Sequence, residues 1–573
     1  MSEQYPMMTV VDMLRCDARL YPDEVALVEV NPAVREPRRQ TWRDFDLIHS
    51  TATEPYRREI TWRVFDEKAN RFANLLISRG VGKGDKVAIL LYNCLEWLPI
   101  YFGILKTGAV VVPLNFRYTG AEIQYCLQKA EADALVFGPE FRSRIEDRLG
   151  SISRNRLLFY IGDDPCPDFA EDYLWLTSNC PSNDPNIPLS LDEDAAIYYS
   201  SGTTGFPKAI LHPHLSLAQA AEMEARHHET THDDVFLCIP PLYHTGAKFH
   251  WMGSLYTGSR GVLLRGVSPQ TIFQTVSDEG CTIVWLLVPW AQDILTAIEE
   301  GQLNPRDYHL DQWRLMHIGA QPVPKSLIRR WREVFPHHAY DTNYGLSEST
   351  GPGCVHLGLE NIDHVGAIGK PGYRWEAKIC DDDGHEVPQG EAGELWVKGP
   401  GVMRCYYGDP KATAEALRDG WLLTGDMARQ DEGGFYWLVD RKKDVIVMGG
   451  ENLYPVQIED FLSTNDAIQD VAVIGLPDER LGEIPAAVIE LKEGREDTTE
   501  DDINQFCLQL PRYKRPRKVI FAKVPRNATG KIEKPLLRRR YGAEHLVALE
   551  SGADAAAGAA GQGAARENVA PAK

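Results

Sequence analysis

Tyr198-Tyr199-Ser200-Ser201-Gly202-Thr203-Thr204-Gly205-Phe206-Pro207-Lys208 follows the apolar run Ala195-Ala196-Ile197. The stretch is a hydroxyl- and glycine-rich loop built to hold phosphate. Gly202 and Gly205 reach backbone angles closed to other residues and let main-chain N–H groups turn toward one anion. Ser200, Ser201, Thr203 and Thr204 supply hydroxyl donors, and Lys208 supplies charge. A polyphosphate suits this chemistry. The Walker spacing is not met, because Gly205 is followed by Phe206-Pro207-Lys208-Ala209 rather than by Lys-Ser/Thr.

Other stretches point the same way. In Asp341-Thr342-Asn343-Tyr344-Gly345-Leu346-Ser347-Glu348-Ser349-Thr350 a tyrosine can stack on a base, a hydroxyl can meet a phosphate oxygen, and Glu348 can hold Mg²⁺. Val235-Phe236-Leu237-Cys238-Ile239-Pro240-Pro241-Leu242-Tyr243-His244 is a strand broken by prolines into a loop carrying an aromatic and an imidazole, the position where α/β folds place ligands. Gly420-Trp421-Leu422-Leu423-Thr424-Gly425-Asp426 ends in a carboxylate whose two oxygens fit a vicinal diol, although Gly-Asp is also an ordinary turn. Asp440-Arg441-Lys442-Lys443-Asp444 is a run of alternating charge, suited to a solvated connector or hinge.

In this order the motifs resemble those of the adenylate-forming superfamily of acyl-CoA synthetases, peptide-synthetase adenylation domains and luciferases, from the N-terminal region to about Tyr541. Ala209 stands where that family usually has glycine. The resemblance implies phosphate contacts from Ser200, Ser201, Gly202, Thr203, Thr204, Gly205 and Lys208. It implies an adenine-side turn at Gly319, Ala320 and Gln321, and nucleotide contacts from Asn343, Tyr344, Gly345 and Ser347. Glu348 is then the Mg²⁺ ligand, Asp426 grips both ribose hydroxyls, Arg441 touches the ribose, and Lys443 is the pivot of a hinge. Lys531, in Pro525-Arg526-Asn527-Ala528-Thr529-Gly530-Lys531, is the catalytic lysine, with Thr204, Glu348 and His244 beside it in the chemistry. Gly449, Gly450 and Glu451 face CoA, and the basic run Arg512, Lys514, Arg515, Arg517 and Lys518 is a candidate for its phosphates. Tyr243, His244, Trp251, Met252, Trp290 and Gly345 are expected to line the acyl pocket. Members dedicated to acetate carry tryptophan where Gly345 stands, so glycine leaves room for a larger acid.

The 573 residues exceed one ordinary domain. Helical patterns alternate with short β-rich runs, which predicts an α/β fold with largely parallel sheets. The expected organisation is a large N-terminal domain (1–440) of α/β subdomains with a small β-subdomain between Val365 and Tyr407, a hinge (441–445), and a small mobile α+β C-terminal domain (446–545). An Ala/Gly-rich tail (546–573) is expected to be disordered. Thr41-Trp42-Arg43 is nearly repeated at Thr61-Trp62-Arg63, and the segment between reads as a surface insertion. A net charge of −21 argues against nucleic acid as the principal partner. Eleven cysteines without C-x-x-C or zinc spacing read as reduced, packed thiols. No apolar run approaches the roughly 18 residues of a membrane span, so a soluble, cytoplasmic protein is expected, with a homo-oligomer left open.

The resemblance thus implies an AMP-forming acyl-CoA synthetase using ATP, CoA and Mg²⁺. Its substrate is expected to be a medium-chain, branched, alicyclic or aromatic acid, and the reaction is open to reversal toward ATP. The alternatives are a short-chain synthetase, with tryptophans narrowing the pocket, and a stand-alone adenylating enzyme that loads a carrier protein. A luciferase-like oxygenase and a nucleotide-binding protein without chemistry stand behind these.

Overall fold

The computed structural model describes residues 7–34, 40–42, 45–48, 56–153, 156–200, 207–319, 323–350, 352–356, 364–441, 444–448, 451–478, 481–510, 512–526 and 532–550. The chain forms two units, Met1–Leu438 and Val439–Lys573, and the boundary falls inside the strand Tyr436–Arg441.

Among the described residues, one sheet of the first unit has nine strands. Their spatial order is Lys370–Pro371, Pro352–His356, Ala339–Gly345, Leu315–Gly319, Ile283–Leu287, Val235–Cys238, Arg260–Leu264, Val25–Val30 and Arg57–Thr61. The six strands from Ala339–Gly345 to Val25–Val30 run parallel, and both edges turn antiparallel. Ile283–Leu287 and Leu315–Gly319 are buried throughout, as parallel strands covered on both faces require. Side chains alternate between two cores. Leu27, Phe236 and Ile283 enter one, and their neighbours Val28, Leu237 and Val284 enter the other.

A second sheet has eight described strands, with Lys86–Leu90 parallel to Val110–Pro113 and to Ala134–Phe137 at its centre. At one edge Asp194–Ser200 and Lys208–Pro213 form an antiparallel hairpin, and Cys405–Tyr406 pairs with the latter. A third sheet joins Glu376–Cys380, Gly393–Lys398, Leu417–Arg418, Trp421–Gln430 and Tyr436–Arg441.

Helix starts follow capping chemistry. Thr9 accepts from Asp12 N, and Thr119 and Glu122 form a reciprocal box. The near-repeat splits structurally. Thr61 caps the helix Trp62–Ser78, whereas Thr41 and Trp42 lie in a strand paired with Phe45–Ile48.

In the second unit Ile468–Asp478 pairs antiparallel with Gly482–Leu491, which runs parallel to Lys518–Phe521. Pro455–Leu462 is a helix, as its pattern predicts. The final helix runs Lys534–Glu550, five residues into the segment expected to be disordered, and Leu546, Ala548 and Leu549 there are good helix formers. The rest of that tail lies outside the described residues.

Candidate active site

The parallel strands of the nine-stranded sheet deliver the chemistry-bearing segments at their C-terminal ends. Val235–Cys238 leads to Tyr243 and His244, Leu315–Gly319 ends on the expected adenine-side turn, and Ala339–Gly345 carries Asn343 and Tyr344 before Ser347 and Glu348. This edge is where open α/β sheets bind ligands.

The stretch expected to hold phosphate connects the hairpin strands Asp194–Ser200 and Lys208–Pro213. Ser200 and Lys208 are paired across it, so a hydroxyl and an ammonium stand together at the loop's base. The Lys208 ammonium lies 4.4 Å from the Tyr406 ring centroid. The Tyr406 hydroxyl donates to Glu348 Oε1 at 2.9 Å, and Ser200 Oγ donates to the same oxygen at 3.4 Å. The loop around Glu348 is braced by Met403 N donating to the Glu348 carbonyl (2.8 Å) and by Thr350 Oγ1 donating to the Gly401 carbonyl (2.9 Å). His212 Nε2 donates to the Ser347 carbonyl at 2.8 Å, and burial pushes the His212 imidazole down to about 3, keeping it neutral.

Asp426 is aimed by an irregularity in its strand. Leu423 pairs with Trp396 and Met427 with Glu394, so Thr424, Gly425 and Asp426 together oppose Leu395. Gly425 sits at φ +69, a conformation that L side chains rarely adopt. Thr424 Oγ1 donates to the Leu395 carbonyl (2.6 Å), Gly425 N donates to Glu394 Oε1 (3.0 Å), and Asp426 N donates to Thr424 Oγ1 (3.1 Å). The carboxylate turned inward this way accepts a 2.5 Å hydrogen bond from the Tyr344 hydroxyl.

On the acyl side, Gly345 is exposed at the end of its strand. Tyr243 packs edge-on against Phe116 with centroids 5.2 Å apart, and burial pushes its phenol up to about 12. His244 precedes the helix Thr245–Thr257 as its N-cap. Trp251, Met252 and Trp290, expected beside one acyl pocket, are divided between two cores. Trp251 and Met252 belong to the core on one face of the large sheet, Trp251 lying 6.1 Å from both Phe65 and Phe102, whereas Trp290 is packed in the core of the other face. Apolar aromatics were drawn to the cores that flank the sheet rather than to one cavity.

Ser201, Gly202, Thr203, Thr204, Gly205, Ala320, Gln321, Lys443, Gly449, Gly450 and Lys531 lie outside the described residues, as do the side chains of Arg441 and Glu451. Strands Ile446–Met448 and Glu451–Leu453 pair with Met448 opposite Glu451. The segment bearing Lys531 is closed at its base by a bridge between Arg526 and Ile532 and by Glu533 N donating to the Pro525 carbonyl (2.8 Å). Arg526 in turn grips both oxygens of Asp470 at 2.7 Å. Within the basic run, Arg515 donates to the Leu508 and Leu510 carbonyls and Lys514 to Gln457, so both hold the fold of their own unit.

Tyr406 was not legible as a site residue, since Cys405-Tyr406-Tyr407 carries no charge or motif signal. A buried group of histidines behind Asn343 also escaped the sequence reading; only the adjacent pair His227-His228 marks it locally.

Residues 17–407 match the AMP-binding enzyme family, and residues 457–531 match the AMP-binding enzyme C-terminal domain. The chain is 32% identical over 494 residues to the long-chain-fatty-acid–CoA ligase FadD13 of Mycobacterium tuberculosis, covering 84% of this chain and 93% of that one. It is 32% identical over 499 residues to a feruloyl-CoA synthase of an Amycolatopsis species, covering 86% and 96%. Among solved structures, the anthranilate CoA ligase AuaEII in complex with anthranoyl-AMP superposes with a TM-score of 0.80 at 26% identity, covering 94% of this chain and 98% of that one.

Proposed function

Because the chain belongs to the AMP-binding enzyme family and is an AMP-forming acid–CoA ligase of the adenylate-forming superfamily, we propose that it activates a medium-chain, branched, alicyclic or aromatic carboxylic acid as its acyl adenylate and passes the acyl group to CoA. The observation that carries the reading is the convergence of Ser200, Lys208, Glu348 and Tyr406 on one side and Tyr344 with Asp426 on the other, at the C-terminal edge of the sheet.

In the first half-reaction a carboxylate oxygen of the acid attacks the α-phosphorus of ATP, and pyrophosphate leaves with the bonding pair. Positioning and charge neutralisation govern such a displacement, with no protein nucleophile. Lys208 and the loop hydroxyls, Thr203 and Thr204 included, hold the phosphates. Tyr344, Asp426 and Arg441 hold the nucleoside, and Lys531 bridges carboxylate and phosphate. Mg²⁺ fits the Glu348 carboxylate, which stands among the hydroxyls of Ser200 and Tyr406 as hard oxygen donors, and there it would neutralise phosphate charge. In the second half-reaction the CoA thiol, losing its proton, attacks the acyl carbonyl, and AMP departs. Turning of the small unit about Lys443 would withdraw Lys531 and present Gly449, Gly450 and Glu451 to CoA.

The exposed Gly345 favours a substrate larger than acetate. The fatty and aromatic acids in the names of the relatives are compatible with that size. The test is carboxylate-dependent ATP/pyrophosphate exchange over acetate through octanoate, cyclic and aromatic acids, with and without CoA, beside Lys531→Ala. Exchange with one class of acid, lost in the variant and converted to AMP and acyl-CoA when CoA is added, is the expected result. Acyl transfer to a carrier protein but not to CoA would overturn the thioester assignment, and exchange with acetate alone would overturn the substrate class.

A further inference from the structure

Lys248 is an ionisable side chain placed where water does not reach. It lies in the first turn of the helix Thr245–Thr257 and is fully buried, with no hydrogen bond or ion pair among the described residues. Four aromatic rings surround its Nζ instead. The Tyr198 centroid is 3.9 Å away, Phe249 4.9 Å, Tyr101 5.2 Å and Trp97 5.9 Å. A box of ring faces is the surrounding that holds an organic cation.

The groups around Lys248 supply no balancing charge. From the helix Trp97–Lys106 it faces Tyr101, and from the strand Asp194–Ser200 it faces Tyr198. From Lys208–Pro213 comes the ring of His212, 5.8 Å from that of Tyr198, and on its own helix His244 stands one turn earlier. The two phenols are hydrogen-bonded to each other at 2.7 Å, and burial raises both, so each keeps its proton. Burial keeps His212 neutral as well. A buried nitrogen without a counter-charge favours its amine form.

The strand beside it leads to negative charge. Tyr198 and Ser200 are alternate residues of one strand, so they share a face about 7 Å apart. Ser200 in turn is paired with Lys208. Lys248 thus stands one aromatic ring behind the strand end at which the phosphates of ATP are received.

We propose that Lys248 is a second cation of the ATP site beside Lys208, an amine while the phosphate stretch is empty and an ammonium in its aromatic box once the polyphosphate is bound, a role that rests on Ser200 and Lys208 holding phosphate as proposed above. The proton comes from solvent and adds to the amine lone pair, and no other bond forms or breaks. Charges separated by protein rather than by salt solution are weakly screened, so the phosphates act on Nζ through the Tyr198 ring. The same residue that weakens the empty fold then strengthens the complex.

The test is calorimetric titration of the full chain with ATP at saturating Mg²⁺ and neutral pH, in buffers of low and high ionisation enthalpy, for wild type and Lys248→Met. The change of heat with buffer counts the protons taken up. Wild type is expected to take up about one proton more per ATP than Lys248→Met and to bind ATP about tenfold more tightly, although the variant is the more heat-stable protein without ATP. Wild-type affinity should also fall as the pH rises, with a slope that the variant lacks. A packing role would move affinity and stability in one direction and leave the proton count alone. If Lys248→Met fails to fold, Lys248→Arg, whose guanidinium stays charged, replaces it as the reference without uptake. ATP binding with equal proton counts in wild type and variant overturns the role of Lys248. Absence of ATP binding by the wild type overturns the phosphate assignment itself, and this role with it.

Discussion

The Tyr344 hydroxyl donates to Asp426 Oδ2 at 2.5 Å, joining two segments 82 residues apart in sequence. The strand end that carries Tyr344 and the irregular turn that carries Asp426 are thereby locked to each other, and both side chains are less than a tenth exposed. Tyr344→Phe keeps the ring but removes the donor and leaves the carboxylate short of a partner. That costs about 1–3 kcal/mol, or roughly 5- to 150-fold in ATP affinity by calorimetry, with the thermal midpoint moved by only a few degrees. Unchanged ATP affinity would show that this bond does not position the nucleotide side.

Tyr406 bonds Glu348 through its hydroxyl and receives the Lys208 ammonium on its ring. Tyr406→Phe retains the ring and removes the nearer of the two hydroxyls that donate to Glu348 Oε1. A rise in the Mg²⁺ concentration needed for half-maximal ATP/pyrophosphate exchange, by about 3- to 10-fold, is expected from a less well-oriented carboxylate. Tyr406→Leu should be worse, because it also removes the face on which Lys208 rests. Equal Mg²⁺ dependence in wild type and Tyr406→Phe would detach Tyr406 from Glu348 function.

The Arg526–Asp470 pair secures the base of the segment that carries Lys531. Asp470→Asn removes one member of a two-bond ion pair whose side chains are only 15% and 9% exposed. Exchange activity should fall about tenfold while ATP binding stays near that of wild type, since a displaced lysine costs positioning rather than affinity. Loss of ATP binding in parallel would indicate damage elsewhere.

Lys248 is fully buried, with its ammonium 3.9 Å from the Tyr198 ring centroid and no hydrogen-bond partner among the described residues. Burial drives its pKa well below the ordinary lysine value. The unfolded chain holds that proton to near pH 10, so between the lowered pKa and pH 10 the unfolded state binds more protons. The contribution of Lys248 to stability therefore rises with pH. Lys248→Met should stabilise the protein by about 2 kcal/mol at pH 7, and the advantage should shrink as the pH approaches 10, read from thermal midpoints of both proteins. A gap that does not change with pH would contradict a buried, proton-shedding lysine.

The local strings were legible because each confines its chemistry to a few consecutive residues. The hydroxyls and glycines of 200–205, the tyrosine and glutamate of 344–348 and the aspartate of Thr424-Gly425-Asp426 announce a type of contact before any fold is known. The alternation of helices and apolar strands likewise announced the α/β architecture, since period and turn residues act over short distances. Pairing was another matter. Tyr406 reaches Glu348 only because Cys405–Tyr406 pairs with the strand Lys208–Pro213 in one register, and nothing within Cys405-Tyr406-Tyr407 encodes that partner.

Sidedness was equally hidden. Trp251, Met252 and Trp290 share an apolar, aromatic character that predicts burial, yet they are divided between the two faces of one sheet. Glu224, His228, His250, His317 and Asp341 are separated by as many as 117 residues and meet because two helices close over two neighbouring strands. The order of residues along the chain thus settled which groups can do chemistry and in which kind of loop each sits. Packing settled which of those groups meet, because strand register and the choice of sheet face arise from burial summed over distant segments and have no signature in any one of them.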